Sequence, residues 1–153
     1  MLVNQLLSMK GDAVKPWIEA ETIVTIAPDA TLADAVRLLC DKRIGAVVVS
    51  SDGKRPDGIL SERDIVRRLN ESGMELLTTP VSTAMTAPVK TCAIGDDALS
   101  VLERMTAGRF RHMPVIDEAG LMVGLISIGD VVSGRLKERA AEKEALTGMI
   151  MGS

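Results

Sequence analysis

An internal repeat constrains the fold of this chain more than any other feature. Residues 58–64 read Gly-Ile-Leu-Ser-Glu-Arg-Asp, and residues 124–130 read Gly-Leu-Ile-Ser-Ile-Gly-Asp. The glycine, serine and aspartate recur 66 residues apart, and each copy follows a β-rich run, at 45–50 and at 112–117. Each half has about 55 residues, too few to bury a sufficient core alone. We therefore expect two similar halves packed against each other.

Both halves show the same order of predicted elements. Apolar residues at spacings of three and four precede each β-rich run and predict an amphipathic helix. Short strands are predicted before these helices, at 23–25 and 89–91. Each half reads strand, helix, strand, strand, helix. The predicted fold class is α/β: two pseudo-symmetric β-α-β-β-α motifs packed through their sheets, with an extended C-terminal helix.

The predicted segments follow from this repeat. They are an N-terminal segment (1–19), a first motif (20–75), a linker (76–88), a second motif (89–140) and a C-terminal helical tail (141–153). A shorter echo precedes both halves, since Val3-Asn-Gln-Leu-Leu7 resembles Val81-Ser-Thr-Ala-Met85. The long helical pattern from Ile128 to Ile150 is either a frayed tail or a helix that packs on another subunit through its apolar side chains.

Local signals predict where the elements begin and end. Capping side chains are expected at Thr31, at Asp96 or Asp97, and at Ser61 and Ser127, where a strand becomes a helix. Gly108 is expected just after the second-half helix. Turns between paired strands are predicted at 52–53 and 118–120.

Composition excludes several classes of function. The net charge of −3 gives no general attraction to nucleic acid or anionic membrane, and the near absence of aromatic residues excludes base stacking on rings. No apolar run approaches the roughly 20 residues of a bilayer span. Cys40 and Cys92 form no CxxC pair and are expected to be buried free thiols in a reducing cytosol. The protein is expected to be cytoplasmic, with no nucleic-acid or membrane partner and no metal.

The repeated Ser-x-x-Asp sequence has two interpretations. The first is a capping box, in which the serine caps a backbone N–H and the acid reaches back to another. The second is a nucleotide site: the aspartate accepts hydrogen bonds from the cis-diol of a ribose, and the helix N-terminus and serine meet a phosphate. Arg63 beside Asp64, together with Arg109, Arg111 and His112, supplies cations for the phosphate. The base would lie between aliphatic strands, near Thr25 and Thr91.

Three other chemistries fit less well. Gly124 to Gly129 has the spacing of a P-loop, but the lysine that should follow is missing. A hydrolase triad of Ser127, His112 and Asp130 lacks a nucleophile elbow, and the first repeat has Gly45 where the second has His112. A nucleic-acid patch of Arg104, Arg109 and Arg111 lacks aromatic residues.

With these motifs in place, the sequence resembles a tandem pair of cystathionine β-synthase (CBS) domains, also called a Bateman module, of the stand-alone bacterial type. The matching stretches begin at Thr25, Ile44 and Gly58 in the first half, and at Thr91, Arg109 and Gly124 in the second. The resemblance covers roughly residues 20–140, in two complete copies.

The resemblance implies adenosyl ligands bound in clefts between the two domains, and a homodimer formed through helices. AMP is expected first, with NAD(H), ATP and S-adenosylmethionine as alternatives. The implied ribose-binding acids are Asp64 and Asp130, with Ser61 and Ser127 near ribose and phosphate. The implied phosphate contacts are Arg63, Arg111 and His112. The implied base-edge positions are Thr25, Ile44, Thr91 and Met113, with the adjoining Gly45 and Pro114 counted in the site.

The sequence departs from the family pattern in two places. Ile94-Gly95 replaces the expected proline of the second copy and adds a residue, whereas Pro28 keeps it in the first. The first half has Ile44-Gly45 instead of an Arg-His pair, so it is expected to bind phosphate less tightly or to use Arg111 across the cleft.

These observations predict a non-catalytic sensor. It binds an adenine nucleotide and signals to an unidentified regulated protein by changing the packing of its two motifs or subunits. The alternatives are a structural dimerisation or interaction module with vestigial pockets and, less favoured, a small hydrolase that uses His112.

Overall fold

A computed structural model describes residues 1–9 and 23–150 of the chain; Trp17 and the predicted boundary between residues 19 and 20 lie outside the described residues. The first half contains α1 (Val3–Met9), β1 (Thr25–Ile26), α2 (Leu32–Lys42), β2 (Ala46–Val49), β3 (Gly58–Ser61) and α3 (Glu62–Ser72). Two 3-10 helices follow, Gly73–Thr78 and Val81–Thr83. The second half contains β4 (Cys92–Ala93), α4 (Ala98–Gly108), β5 (His112–Ile116), β6 (Met122–Ser127) and α5 (Ile128–Ile150).

Each half builds its own three-stranded sheet. The strand orders are β1-β2-β3 and β4-β5-β6, with the first pair parallel and the second antiparallel in each sheet. This confirms the predicted fold class and the order of elements. The first strand of each half lies later than predicted, at Thr25–Ile26 and Cys92–Ala93, because only these residues reach the neighbouring strand.

Capping interactions fix the first helix of each half. Thr31 and Asp34 form a reciprocal capping box at the start of α2, and the Asp97 side chain accepts from the Ser100 N–H at the start of α4. The predicted caps at Thr31 and Asp97 are confirmed. These satisfied N–H groups define where each helix begins.

Helices α2 and α4 are each followed by an arginine in the left-handed region. Arg43 has φ 54° after α2, and Arg109 has φ 56° after α4. The prediction that Gly108 follows α4 is wrong by one residue, because Gly108 is the last helical residue. Glycine fits there because a β-carbon on Gly108 would meet the ring of Phe110, which would have to move.

The two strand connections differ. The second is a tight turn in which the Gly120 N–H donates to the Asp117 carbonyl over 3.0 Å. The first is a longer loop, residues 50–57, folded around the Asp52 carboxylate, which accepts from the Lys54 and Arg55 N–H groups at 2.8 Å. We call it the Asp52 loop. Its Lys54 carbonyl accepts from the Met122 N–H over 2.8 Å, which ties the loop to the second sheet.

The halves exchange covering segments. Val3, Leu6 and Leu7 of α1 pack into the core of the second half. Val81 and Ala84, which follow α3, pack into the core of the first half. The resemblance between Val3-to-Leu7 and Val81-to-Met85 is therefore structural: equivalent residues cover equivalent sheets. The stretch between the motifs is largely a packed element.

Hydrogen bonds show how closely the exchanged segments correspond. The Asn4 N–H donates to the Ile94 carbonyl, and the Ser82 N–H donates to the Pro28 carbonyl, both over 3.0 Å. The equivalence of Pro28 and Ile94 shows that both loops have the same length. The prediction that Ile94-Gly95 adds a residue is therefore wrong: isoleucine substitutes for the proline without an insertion.

Two further predictions concern the cysteines and the last helix. Both cysteines are free, but only Cys92 is buried; Cys40 is exposed on α2, so its predicted burial is wrong. The predicted long helix is confirmed as α5, and residues 139–148 on it are exposed. Leu146 belongs to this exposed stretch, whereas the side chains of Met149 and Ile150 lie outside the described residues.

Candidate functional site

A cleft of about 660 Å³ lies between the two halves. One wall is the beginning of α3, where Ser61, Arg63 and Asp64 line it. The other wall comes from the second half, from the stretches 86–90 and 108–112. A molecule in this cleft would contact both repeats at once.

The Ser61–Asp64 pair forms a capping box at the edge of the cleft. Asp64 Oδ2 accepts from the Ser61 N–H at 2.9 Å and from the Ser61 hydroxyl at 3.0 Å, and the Asp64 N–H donates to Ser61 Oγ at 3.3 Å. All of these carboxylate bonds end on Oδ2. The capping box therefore leaves Oδ1 outside it, so capping and ligand binding are compatible in one side chain.

The Ser127–Asp130 pair repeats this geometry. Asp130 Oδ2 accepts from the Ser127 N–H at 2.8 Å, and the Asp130 N–H donates to Ser127 Oγ at 3.1 Å. The predicted caps at Ser61 and Ser127 are thus confirmed. Neither Ser127 nor Asp130 lines the cleft of Asp64, which is consistent with a second, pseudo-symmetric position for this pair.

Cations dominate the lining of the cleft. Five lysine and arginine side chains face it, against the acids Glu62 and Asp64. The five are Arg63, Arg67, Lys90, Arg109 and Arg111. Within residues 1–9 and 23–150, the ion pairs of the structure involve none of these five. Such a group of unneutralised cations favours an anionic ligand.

Gly45 and His112 meet where the two halves face each other. Cε1 of the His112 ring lies 3.9 Å from the point that a β-carbon would occupy at Gly45. The Glu62 N–H donates to the Gly45 carbonyl and the Ile128 N–H to the Arg111 carbonyl, so Gly45 corresponds to Arg111. The predicted equivalence of Gly45 and His112 is wrong by one residue; Ala46 matches His112, each paired with a repeat serine.

The remaining predicted site residues do not line this cleft. Met113 is fully buried in the core of the second half, and Pro114 beside it is also buried. Ile44 packs against the core of the first half. Thr25 and Thr91 lie at and just before the first strand of each half, half-buried. Their part in base recognition stays a prediction.

Sequence motifs missed several lining residues. Arg67 lies one turn beyond Arg63 on α3, and Thr86 and Lys90 belong to the stretch before β4. A helical spacing of four from Arg63 is the signal that could have found Arg67. Arg104, by contrast, is occupied elsewhere: its Nη2 donates to the Thr91 carbonyl at 2.7 Å, and it pairs with Asp96.

The described part of the chain contains neither a cluster of metal-ligating side chains nor a helix that could span a membrane. No three histidine, cysteine, aspartate or glutamate side chains come together there as metal ligands would. Among the described helices, none is both long and apolar enough to cross a membrane.

The comparisons identify the family that this repeat and cleft define. The CBS domain model matches residues 18–71 and 81–137. The chain therefore belongs to the CBS-domain family and carries two CBS domains in tandem.

Relatives extend this assignment over nearly the full sequence. The mitochondrial CBS domain-containing protein CBSX3 of Arabidopsis thaliana is 35% identical over 155 residues, covering 98% of this chain and 72% of its own. A CBS-domain-containing protein of Agrobacterium tumefaciens has 40% identity and a TM-score of 0.76, covering 88% of this chain and 92% of its own. A CBS domain protein of Pyrobaculum aerophilum, solved in complex with AMP, has 26% identity and a TM-score of 0.68, covering 85% and 89%.

Proposed function

We propose that this chain is a regulatory module that binds an adenine nucleotide in the cleft between its two CBS domains. One observation carries the proposal: the cleft brings the Asp64 carboxylate of one half together with the cations of the other half. A nucleoside phosphate presents matching chemistry, a cis-diol for the acid and a phosphate for the cations. The Pyrobaculum relative, whose complex contains AMP, supports this ligand class.

A ligand that contacts both halves gives the module a way to signal that the ligand is bound. Its ribose would contact Asp64 and its phosphates Arg111 and His112, so binding stabilises one arrangement of the two halves relative to others. A ligand shifts such an equilibrium only by its difference in affinity for the two arrangements. We assign no catalytic step to the module, and its output goes to a separate regulated protein.

A homodimer is the natural form of such a module, and exposed apolar side chains support it. Val66 on α3 and Val132 on α5 occupy equivalent positions in the two repeats and are 66% and 45% exposed. Leu136, one turn further on α5, is 64% exposed. Two copies associate through these helices. Light scattering should give a dimer for the wild type and a monomer for Leu136→Glu, with Leu99→Glu on α4 as the control.

Calorimetric titration with AMP tests the nucleotide site. Asp64→Asn should weaken binding at least tenfold, because the amide nitrogen cannot accept a hydrogen bond from a hydroxyl group of the diol. Asp34→Asn is a matched control, since Asp34 occupies the same N3 position in a capping box outside the cleft. Comparable melting temperatures for the two variants would assign the loss to the ligand.

The alternative is a structural module with vestigial pockets. A ligand that binds only the folded protein raises its melting temperature. If AMP, ATP, NADH and S-adenosylmethionine all leave the melting temperature unchanged while the dimer persists, the nucleotide proposal fails and the structural module stands.

A further inference from the structure

We infer that the Asp64 cleft selects nucleotides with two or more phosphates over the monophosphate. This inference rests on the proposed function and narrows it. The motifs of the repeat account for one acid, one serine and a few cations. Arg67, Lys90 and Arg109 lie outside the ligand positions implied by family resemblance, and they extend the cationic wall well beyond one phosphate.

The charge of the cleft is opposite to that of the protein. Five lysines and arginines and two acids line it, while the whole chain carries −3. Because none of the five takes part in an ion pair within the described residues, their charge is available to a ligand. A single phosphate offers too few oxygens for cations spread over α3, the stretch before β4 and the end of α4. A diphosphate or triphosphate can bridge them.

The pseudo-symmetric positions of the other repeat carry fewer cations. The hydrogen-bond register equates Arg111 with Gly45, and Cys92 with Ile26, so Lys90 corresponds to Val24. The starts of α3 and α5 equate Arg63 with Gly129 and Arg67 with Ser133. Arg43, equivalent to Arg109, is the one of these five cations that is kept. The lining glycines Gly45 and Gly108, however, correspond to the cations Arg111 and Lys42. Among the described residues, the equivalent positions around Asp130 therefore hold three cations against five.

The two acids therefore have different surroundings. Asp64 shares its helix with Arg63 and Arg67, whereas the equivalent residues beside Asp130, Gly129 and Ser133, are uncharged. The Asp64 cleft therefore offers more cations to a polyphosphate than the equivalent positions around Asp130 do. S-adenosylmethionine carries a positive sulfonium, and the cationic wall of this cleft repels it.

Titration of the full chain without divalent cations tests the inference. Adenosine, AMP, ADP, ATP and S-adenosylmethionine are compared, and inorganic triphosphate separates the phosphate contribution from that of the nucleoside. We expect ATP and ADP to bind at least tenfold more tightly than AMP, with triphosphate competing. Equal affinities for AMP and ATP would overturn the inference while leaving the proposed function intact. Failure of all adenosyl ligands would instead remove the proposed function.

Matched variants locate the site. Arg109 and Arg43 share the left-handed backbone and exposure, and asparagine tolerates that backbone, so Arg109→Asn and Arg43→Asn are comparable substitutions. Arg109→Asn should weaken ATP binding about tenfold and adenosine binding by less than twofold. Arg43→Asn should change neither. An ATP affinity that falls equally in both variants would show that the Asp64 cleft does not hold the polyphosphate specifically, and would contradict the inference.

Discussion

The ring of His112 faces Gly45 across the boundary between the two repeats, with Cε1 3.9 Å from the position of a β-carbon. The Glu62 carboxyl carbon also lies 3.9 Å from that position. A methyl group at residue 45 would make ordinary contacts with both, whereas a longer side chain would enter the cleft. This pair of residues therefore brings the two halves close together at the edge of the cleft.

Substitutions at Gly45 should therefore separate folding from binding. Gly45→Ala should fold and bind AMP as the wild type does. Gly45→Leu should retain its circular dichroism spectrum but bind AMP at least tenfold more weakly, because its side chain occupies ligand space. Calorimetry on both variants makes the comparison. Unchanged affinity in Gly45→Leu would show that the ligand lies elsewhere.

The two repeat glycines should differ in their tolerance of alanine. A β-carbon at Gly58 would lie 2.7 Å from Met85 Sδ and 3.0 Å from the Thr86 carbonyl oxygen, while one at Gly124 would meet only the Leu7 side chain, at 2.6 Å. Gly58→Ala should lower the free energy of unfolding by about 1–3 kcal/mol, as overpacking does. Gly124→Ala should cost less, since a side chain moves more easily than backbone.

Urea denaturation measures both values. Because Thr86 also exchanges backbone hydrogen bonds with Ile59, its carbonyl is held in place. An equal or greater loss in Gly124→Ala would show that the Leu7 packing is the more rigid of the two.

The two thiols should react at very different rates. Burial raises the pKa of the Cys92 thiol to about 12, whereas Cys40 is exposed. A thiol-disulfide reagent at pH 8 should modify one cysteine in the native protein and the second only in denaturant, because the thiolate is the reactive form. Cys40→Ser should abolish the fast reaction. Rapid modification of both thiols in the native wild-type protein would contradict the buried position of Cys92.

Asp52 should make the protein sensitive to strong acid. Hydrogen bonds from the Arg55 and Lys54 N–H groups lower the pKa of Asp52 to about 2. Its stabilising contribution is therefore complete above its ordinary pKa and is lost as pH falls from about 4 towards 2. Asp52→Asn should lower the melting temperature at pH 7 and have a smaller effect at pH 2. An equal decrease at both pH values would mean that the charge is not involved.

The sequence predicted the repeat well because its signals are local. Ser61 and Ser127 cap helices at strand ends, and both the spacing and the residue types report that role directly. The errors arose where neighbours in space decide the outcome. Gly108 suggested a left-handed backbone, but Phe110 is the reason for the glycine. Cys40 lies in an apolar helix pattern, yet on its outer side.

The candidate site was predicted only in part for the same reason. Asp64 and Arg111 belong to recognisable motifs, whereas Arg67 and Lys90 acquire a common role only when the halves meet. No spacing along the chain indicates which residues of the two halves lie close together. The mismatch of Gly45 with His112 arose because counting from one motif cannot fix the register to a single residue without the strand hydrogen bonds.

The exchange of covering segments has a consequence for biosynthesis. Val3 and Leu6 leave the ribosome well before Ile126 and Val131, which belong to the same second core. The apolar side chains of Val3 and Leu6 stay exposed to solvent until the strands and helices of the second half have been translated. Separately expressed fragments split near residue 78 should each carry a segment complementary to the other, so mixing them should restore the native assembly.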